Sequence, residues 1–117
     1  MIPKSERDNV LLGEILDELA VIDERVAKGK AAYLADDNLR DAISMRLITL
    51  SELLSALSDE FRDEHLDIPL ARIRGLRNIL AHAYGTIDFE RLWDIVIGDY
   101  PNLAEQLRAI AQQRHVN

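Results

Sequence analysis

The chain has 117 residues, of which 48% are hydrophobic and 30% are charged. This composition supports one buried core and excludes intrinsic disorder, so we expect a single globular domain over residues 1–117. The absence of cysteine excludes disulfide bonds and cysteine nucleophiles. No apolar run approaches the about 20 residues of a membrane-spanning helix, and residues 1–10 lack a signal-peptide pattern. The cytoplasm is the expected compartment, with no membrane partner.

Apolar residues recur at helical spacing along nearly the whole chain. Ser5 and Asp8 predict the start of a first helix over about residues 6–28, and a linker is expected over Lys30–Asp36. Asp37 should cap a second, longer helix that ends near Glu64. The apolar stripe of the first helix consists of Leu12, Ile15, Leu19, Ile22 and Val26.

Prolines, a glycine and an aspartate mark the later boundaries. Pro69 fits the first turn of a third helix that reaches Tyr84, and Gly85 fits its stop. Asp88 should cap a fourth helix, and Pro101 is expected to break or kink the chain before a short last segment. The predicted fold is all-α, an up-and-down bundle of four main helices plus a short C-terminal helix.

The second predicted helix has more apolar residues than one face needs. Ala42, Met45, Leu53 and Ala56 lie off its main stripe. Either a homodimer interface or deeper burial within the bundle would explain them.

The net charge of −7 argues against a nucleic-acid partner, but the charge is uneven. The window from Ile68 to Ile87 has no acidic residue and contains Arg72, Arg74 and Arg77. The guanidinium group suits phosphate binding, although arginines also simply occupy exposed helix positions.

Several enzyme classes lack their motifs. The chain has no glycine-rich phosphate loop, no G-x-S-x-G sequence and no H-E-x-x-H sequence. His65 and His115 have no metal-ligand spacing to His82, so a metal site and a cofactor are not expected.

The stretch from Arg77 to Tyr84 remains as the candidate site. On a continuous helix, Arg77 and Tyr84 would return to one face, and Asn78 and His82 would share a neighbouring face. RNA cleavage needs a base, an acid and a cation at the phosphate, roles that histidine and arginine suit. A two-fold dimer would supply two copies of His82. The alternative is that His82 interacts with the helix dipole and Arg77 makes an ordinary surface ion pair.

The motif R-x4-H-x-Y, formed by Arg77, His82 and Tyr84, resembles the signature of HepT-type toxins of the HEPN superfamily. The resemblance extends over about residues 8–110. It also includes Leu34-Ala35-Asp36-Asp37, Ser51-Glu52-Leu53, Ile68-Pro69, Gly75-Leu76-Arg77-Asn78 and Trp93.

The resemblance implies a HEPN-like helical homodimer that cleaves RNA without a metal, as the toxin of a type II or type VII-like toxin–antitoxin pair. Arg77 and His82 would be catalytic and Asn78 auxiliary, while Arg72 and Arg74 would bind RNA phosphates. The family's antitoxin is a minimal nucleotidyltransferase that transfers AMP to the motif tyrosine, here Tyr84. The new charge beside Arg77 would repel the RNA phosphate.

Two features differ from the family pattern. Relatives commonly have Trp where this chain has Leu70, and Gly-Glu-Ala where it has Ser51-Glu52-Leu53. We interpret these as packing positions that do not touch the motif.

Two other functions stay open: a non-catalytic helical dimer that binds nucleotide or a nucleotidyltransferase, and a structural dimerisation domain.

Overall fold

A computed structural model describes residues 2–116, which form six α-helices and one 3-10 turn with no strand. The all-α class is therefore confirmed, with four long helices. The elements are α1 (Lys4–Val26), α2 (Lys30–Ala35), α3 (Asp37–Ser55), α4 (Asp59–Glu64), α5 (Leu70–His82), the 3-10 turn Tyr84–Thr86, and α6 (Phe89–Gln113).

One contiguous core lies between the long helices, and α3 packs between α1 and α5 while α6 packs on α1. The predicted stripe of α1 forms one wall of this core. Leu12, Ile15, Leu19 and Ile22 are fully buried. Each such side chain contributes about 1.5–3 kcal/mol to the free energy of unfolding through the removal of its apolar surface from water. The buried Tyr100 hydroxyl also donates a hydrogen bond to the Leu19 carbonyl at 2.6 Å, which ties α6 to α1.

Three features of the first half differ from the prediction. The helix α1 begins directly after Pro3, and Ser5 and Asp8 do not cap it. The predicted linker contains the short helix α2, which Gly29 separates from α1 through a left-handed backbone with φ of 92°. The cap of α3 is Asp36 and not Asp37, because the Asp36 carboxylate accepts from the Asn38 amide at 2.9 Å.

The predicted second helix is divided into α3 and α4. Ser58 ends the continuity because its hydroxyl oxygen accepts from the Phe61 amide at 3.2 Å and starts a new helix there. The carboxylate of Asp8, buried within α1, accepts from the Ser58 amide at 2.9 Å and from the Ser58 hydroxyl at 2.6 Å. A contact between residues 50 positions apart therefore fixes this break, and no local pattern predicts it.

The boundaries of the second half are closer to the prediction. Pro69 directly precedes α5, and Asp88 caps α6 as expected, since its carboxylate accepts from the Glu90 and Arg91 amides. However, α5 ends at His82 and not at Tyr84. Gly85 lies in the 3-10 turn without a left-handed backbone, so its predicted role as the stop is wrong.

The separate C-terminal helix is absent because α6 continues through Pro101. A proline inside a helix costs about 3 kcal/mol, since it removes one backbone hydrogen bond and crowds the preceding turn. The buried residues on either side of Pro101 offset that cost by packing on one continuous face. They are Leu92, Trp93, Val96 and Tyr100 before it and Leu103, Ala104, Leu107, Ile110 and Ala111 after it.

The bond between α1 and α4 gives a test of the fold. Replacing Asp8 with Ala leaves the Ser58 amide and hydroxyl without their acceptor, so we expect the free energy of unfolding to fall by about 2–3 kcal/mol. The matched control is Asp17→Ala on the exposed face of the same helix, which should change it by less than about 0.5 kcal/mol. Urea denaturation measures both. Equal stability of the two variants would show that the Asp8 bonds contribute nothing net.

Candidate functional site

The helix α5 lies at the surface of the bundle. It packs on α3, and Leu80 is its one buried residue, while Leu70, Ile73 and Leu76 are partly buried. Its polar side chains consequently remain accessible. The candidate residues Arg72, Arg74, Arg77, Asn78 and His82 all belong to this helix.

Arg77 is held by two oxygen acceptors. Its Nη2 donates to Glu52 Oε1 of α3 at 3.2 Å, and its Nη1 is 3.4 Å from Asn78 Oδ1. The arginine side chain is 31% exposed and that of Glu52 is 59% exposed. The guanidinium group is therefore oriented by its partners but still faces solvent, where a phosphate can reach it.

A shallow depression surrounds this pair. Arg74, Arg77 and Asn78 line it from α5, and Ser51, Glu52 and Ser55 line it from α3. Where this chain departs from the family pattern, Ser51 is buried and Leu53 is partly buried against the core, as expected of packing positions. Glu52, which the pattern shares, is exposed and binds the motif arginine directly. The sequence contains Glu52 within the family resemblance, but nothing in its spacing identifies Arg77 as its partner.

The positive charge of the window Ile68–Ile87 is partly neutralised in the folded chain. Arg72 Nη2 lies 3.0 Å from Asp99 Oδ2 of α6, and Arg77 is paired with Glu52. Both acids lie outside the window, so the sequence alone overstates how much of the window's positive charge is unpaired. Such exposed pairs contribute about 0–1 kcal/mol, which leaves the arginines able to exchange a carboxylate for a phosphate. Arg74 is exposed at the edge of the depression.

His82 is exposed and is the last residue of α5. It lies one helical turn after Asn78, as expected for residues at i and i+4. The depression around Arg77 does not include it among its lining residues. Within one chain, Arg77 and Asn78 thus come together, and His82 lies one turn after Asn78 but outside their depression.

Tyr84 does not share a helical face with Arg77, because α5 ends before it. The expectation that both residues line one patch of a continuous helix is therefore wrong. The Tyr84 hydroxyl instead donates a hydrogen bond to Asp41 Oδ1 of α3. Its ring packs edge-on against Phe89, with the centroids 5.4 Å apart. The Arg40 guanidinium lies over the other aromatic ring of this pair, 4.9 Å from the Phe89 centroid.

Burial raises the pKa of Tyr84, and the hydrogen bond to Asp41 and the charge of that carboxylate raise it further. Ser44 and Arg40 oppose the shift by favouring the phenolate. The phenol is therefore protonated at neutral pH. Neither Asp41 nor Ser44 stands out in the sequence, since both lie within a regular amphipathic helix.

An apolar groove runs between α5 and α6. It consists of two adjoining depressions that are both lined by Leu76 and Ile95, and Ile79, which is 53% exposed, lines one of them. On α3, the off-stripe Met45 is 60% exposed, so deeper burial within one bundle does not explain that residue.

Residues 2–116 offer neither a cluster of metal ligands nor a membrane-spanning helix. No group of three or more histidine or acidic side chains is arranged to hold a metal ion in that range. No described helix combines the length and the apolar content that a membrane crossing requires.

Comparison with known proteins defines the class. The model of a family described as "Ribonuclease HepT-like" matches residues 15–110. The chain belongs to this HepT-like family, as the R-x4-H-x-Y motif predicted.

Individual relatives agree with this family. A candidate RNase of Caldanaerobacter subterraneus subsp. tengcongensis is 31% identical over 104 residues, which cover 87% of this chain and 92% of that protein. A Methanocaldococcus jannaschii protein, named as a gamma-glutamylcyclotransferase and candidate RNase, is 28% identical over 92% of this chain. The match spans 49% of that longer protein. A probable ribonuclease HepT of Thermococcus cleftensis is 30% identical over 61% of this chain and 64% of its own length. No solved structure matches.

The hydrogen bond between Tyr84 and Asp41 can be tested by titration. Asp41→Asn removes a carboxylate that raises the pKa of Tyr84, so the pKa should fall, while burial should still hold it above its ordinary value of 10. The phenol resonance of Tyr84, assigned by comparison with Tyr84→Phe, can be followed by NMR from pH 8 to the onset of unfolding. An unchanged titration in Asp41→Asn would contradict the placement of a charged carboxylate beside this phenol.

Proposed function

We propose that the chain is a metal-independent endoribonuclease that cleaves RNA at a site formed by Arg77, Asn78 and His82. The observation that carries the proposal is the partly exposed guanidinium of Arg77, oriented by Glu52 and Asn78, with an exposed histidine one helical turn after Asn78. The family membership and the names of its relatives support RNA as the substrate.

In the proposed reaction the 2′-oxygen of a ribose attacks the adjacent phosphorus. One His82 takes the 2′-hydroxyl proton as the general base, and another protonates the departing 5′-oxygen as the general acid. The phosphate displaces Glu52 as the partner of Arg77. The guanidinium group then stabilises the negative charge that develops on the phosphoryl oxygens. Arg74 and Arg72 bind neighbouring phosphates of the same strand.

Two histidines require two chains, so we propose a homodimer that pairs the α5 helices across the apolar groove. Ile79 is three residues before His82 on α5, and both are exposed. Burying the Ile79 side chains against a second copy would remove apolar surface from water and bring the two His82 side chains towards one cleft.

We further propose that the chain is the toxin of a toxin–antitoxin pair and acts in the cytoplasm. A minimal nucleotidyltransferase is the proposed antitoxin, and AMP on Tyr84 is the proposed inhibitory modification. The accessibility of Tyr84 and its place two residues after His82 support this. A nucleotide attached there would add a negative charge near the RNA phosphate site.

The catalytic assignment is tested by His82→Ala. We expect RNA cleavage to fall at least ~100-fold, because a general acid–base group is lost, while the melting temperature stays close to that of the unmodified chain. His115→Ala, at another exposed histidine, is the matched control and should cleave normally. Cleavage is measured on labelled RNA with and without EDTA, which should have no effect. Full activity of His82→Ala would refute the assignment, and RNA or nucleotide binding without cleavage in the unmodified protein would favour the non-catalytic module.

The dimer is tested by placing a charge on each candidate face. Ile79→Glu should convert the dimer to a monomer, since a carboxylate in an apolar interface loses its hydration. Met45→Glu, a substitution at an equally exposed apolar residue of α3, should leave the dimer intact. Light scattering coupled to size-exclusion chromatography measures the mass. A monomeric Met45→Glu with a dimeric Ile79→Glu would place the interface on α3 instead.

The modification is tested by Tyr84→Phe in co-expression with the nucleotidyltransferase. The phenyl ring keeps its packing on Phe89 but has no acceptor hydroxyl, so growth inhibition should persist and the AMP mass should be missing. Tyr33→Phe, at a buried tyrosine, is the control that should remain suppressed and modified. Suppression of Tyr84→Phe as complete as in the control would rule out AMP transfer to Tyr84 as the switch.

A further inference from the structure

The hydroxyl of Tyr84 faces one side of α3. Asp41 accepts its hydrogen bond, and Ser44 lies three residues further along the same helix face, where it lowers the pKa of the phenol. The Ser44 side chain is buried, and its Oγ has no hydrogen-bond partner among the described residues. The phenol oxygen of Tyr84 therefore has a proton acceptor and a potential hydrogen-bond donor beside it.

Tyr84 is also the most accessible of the three tyrosines. Tyr33 is 1% exposed and Tyr100 is 6% exposed, and the Tyr100 hydroxyl is bonded to a backbone carbonyl within the core. Tyr84 lies partly exposed on the turn that follows α5. A group-transfer reagent at the surface can therefore reach its hydroxyl, while the other two are enclosed.

A protonated phenol is a weak nucleophile and needs a base to take its proton as it reacts. Asp41 is already hydrogen-bonded to that proton. The geometry required of a general base, direct contact with the proton to be abstracted, is thus present before any nucleotide binds.

We propose that Asp41 is the general base that activates Tyr84 for nucleotidyl transfer and that Ser44 stabilises its oxygen; this rests on the proposed AMP modification of Tyr84. The Tyr84 oxygen forms a bond to the α-phosphorus of a nucleoside triphosphate, and its proton passes to Asp41 Oδ1. The bond from the α-phosphorus to the β-phosphate oxygen breaks, and pyrophosphate leaves. The Ser44 hydroxyl donates to the phenol oxygen while negative charge develops there. The acceptor chain thus supplies its own base, and the nucleotidyltransferase supplies the nucleotide.

The variant Asp41→Asn distinguishes proton abstraction from a hydrogen bond that only holds Tyr84 in position. Its amide oxygen still accepts the Tyr84 hydrogen bond, but the group does not take up a proton at neutral pH. Asp41→Glu retains a base on a longer side chain. Ser44→Ala removes the donor without leaving a buried polar atom, and Asp37→Asn changes a carboxylate one turn earlier on α3 as the matched control.

The experiment incubates each full-length variant with a purified minimal nucleotidyltransferase from the same genome, magnesium and α-labelled ATP. Label on Tyr84 is quantified over time by mass spectrometry, and the melting temperature of each variant is recorded. Asp41→Asn should be labelled ~100-fold more slowly than the unmodified chain, and Asp41→Glu should recover part of the rate. Ser44→Ala should be labelled ~10-fold more slowly, corresponding to the loss of one hydrogen bond to a charged oxygen. Asp37→Asn should be labelled at the normal rate.

The outcomes separate this inference from the proposed function. Normal labelling of a folded Asp41→Asn would overturn the role of Asp41 and leave the AMP switch intact. Absence of label on Tyr84 of the unmodified chain would overturn both. If Asp41→Asn fails to fold, the Ser44→Ala rate decides, since normal labelling of that variant would overturn the proposed activation by α3.

Discussion

The packing of α3 between α1 and α5 is the constraint on which the candidate site depends. Its buried stripe of Ile43, Leu47, Leu50 and Leu54 fixes the rotation of α3 about its own axis. Residues 41 and 52 are three turns apart, so they return to within about 20° of the same face. That face is directed at α5 and the turn after it, where Asp41 binds Tyr84 and Glu52 binds Arg77. One packing arrangement therefore orients both the proposed phosphate-binding group and the proposed modified group.

Folding pairs part of the positive charge of the window Ile68–Ile87 with acidic residues of other helices. The sequence has a net charge of −7, and this window has no acidic residue, so the sequence alone suggests an unpaired cationic surface. In the folded chain Glu52 pairs with Arg77, and Asp99 pairs with Arg72. A phosphate must compete with carboxylates for these arginines, so binding should be restricted to a strand that contacts several of them together. It should also weaken with rising salt, because each phosphate contact releases counterions.

Patterns that depend on one segment were predictable from the sequence. The α1 stripe, the Asp88 cap, the all-α class and the family follow from spacing or from a local motif. Three other features were not predictable, because each depends on a side-chain contact between residues 25 to 50 positions apart. Asp8 fixes the break between α3 and α4 at Ser58, Glu52 binds Arg77, and Asp41 binds the hydroxyl of Tyr84. The continuity of α6 through Pro101 likewise results from burial, which outweighs the local cost of the proline.

The chemistry of the cleaved ends tests the central claim most directly. Attack by the 2′-oxygen requires a free 2′-hydroxyl and leaves a 2′,3′-cyclic phosphate and a 5′-hydroxyl. The protein should therefore cleave an unmodified RNA and leave the same sequence intact when every ribose carries a 2′-O-methyl group, and mass spectrometry of the products should find the cyclic phosphate. Cleavage of the methylated RNA, or products with a 5′-phosphate, would contradict the proposed roles of Arg77 and His82.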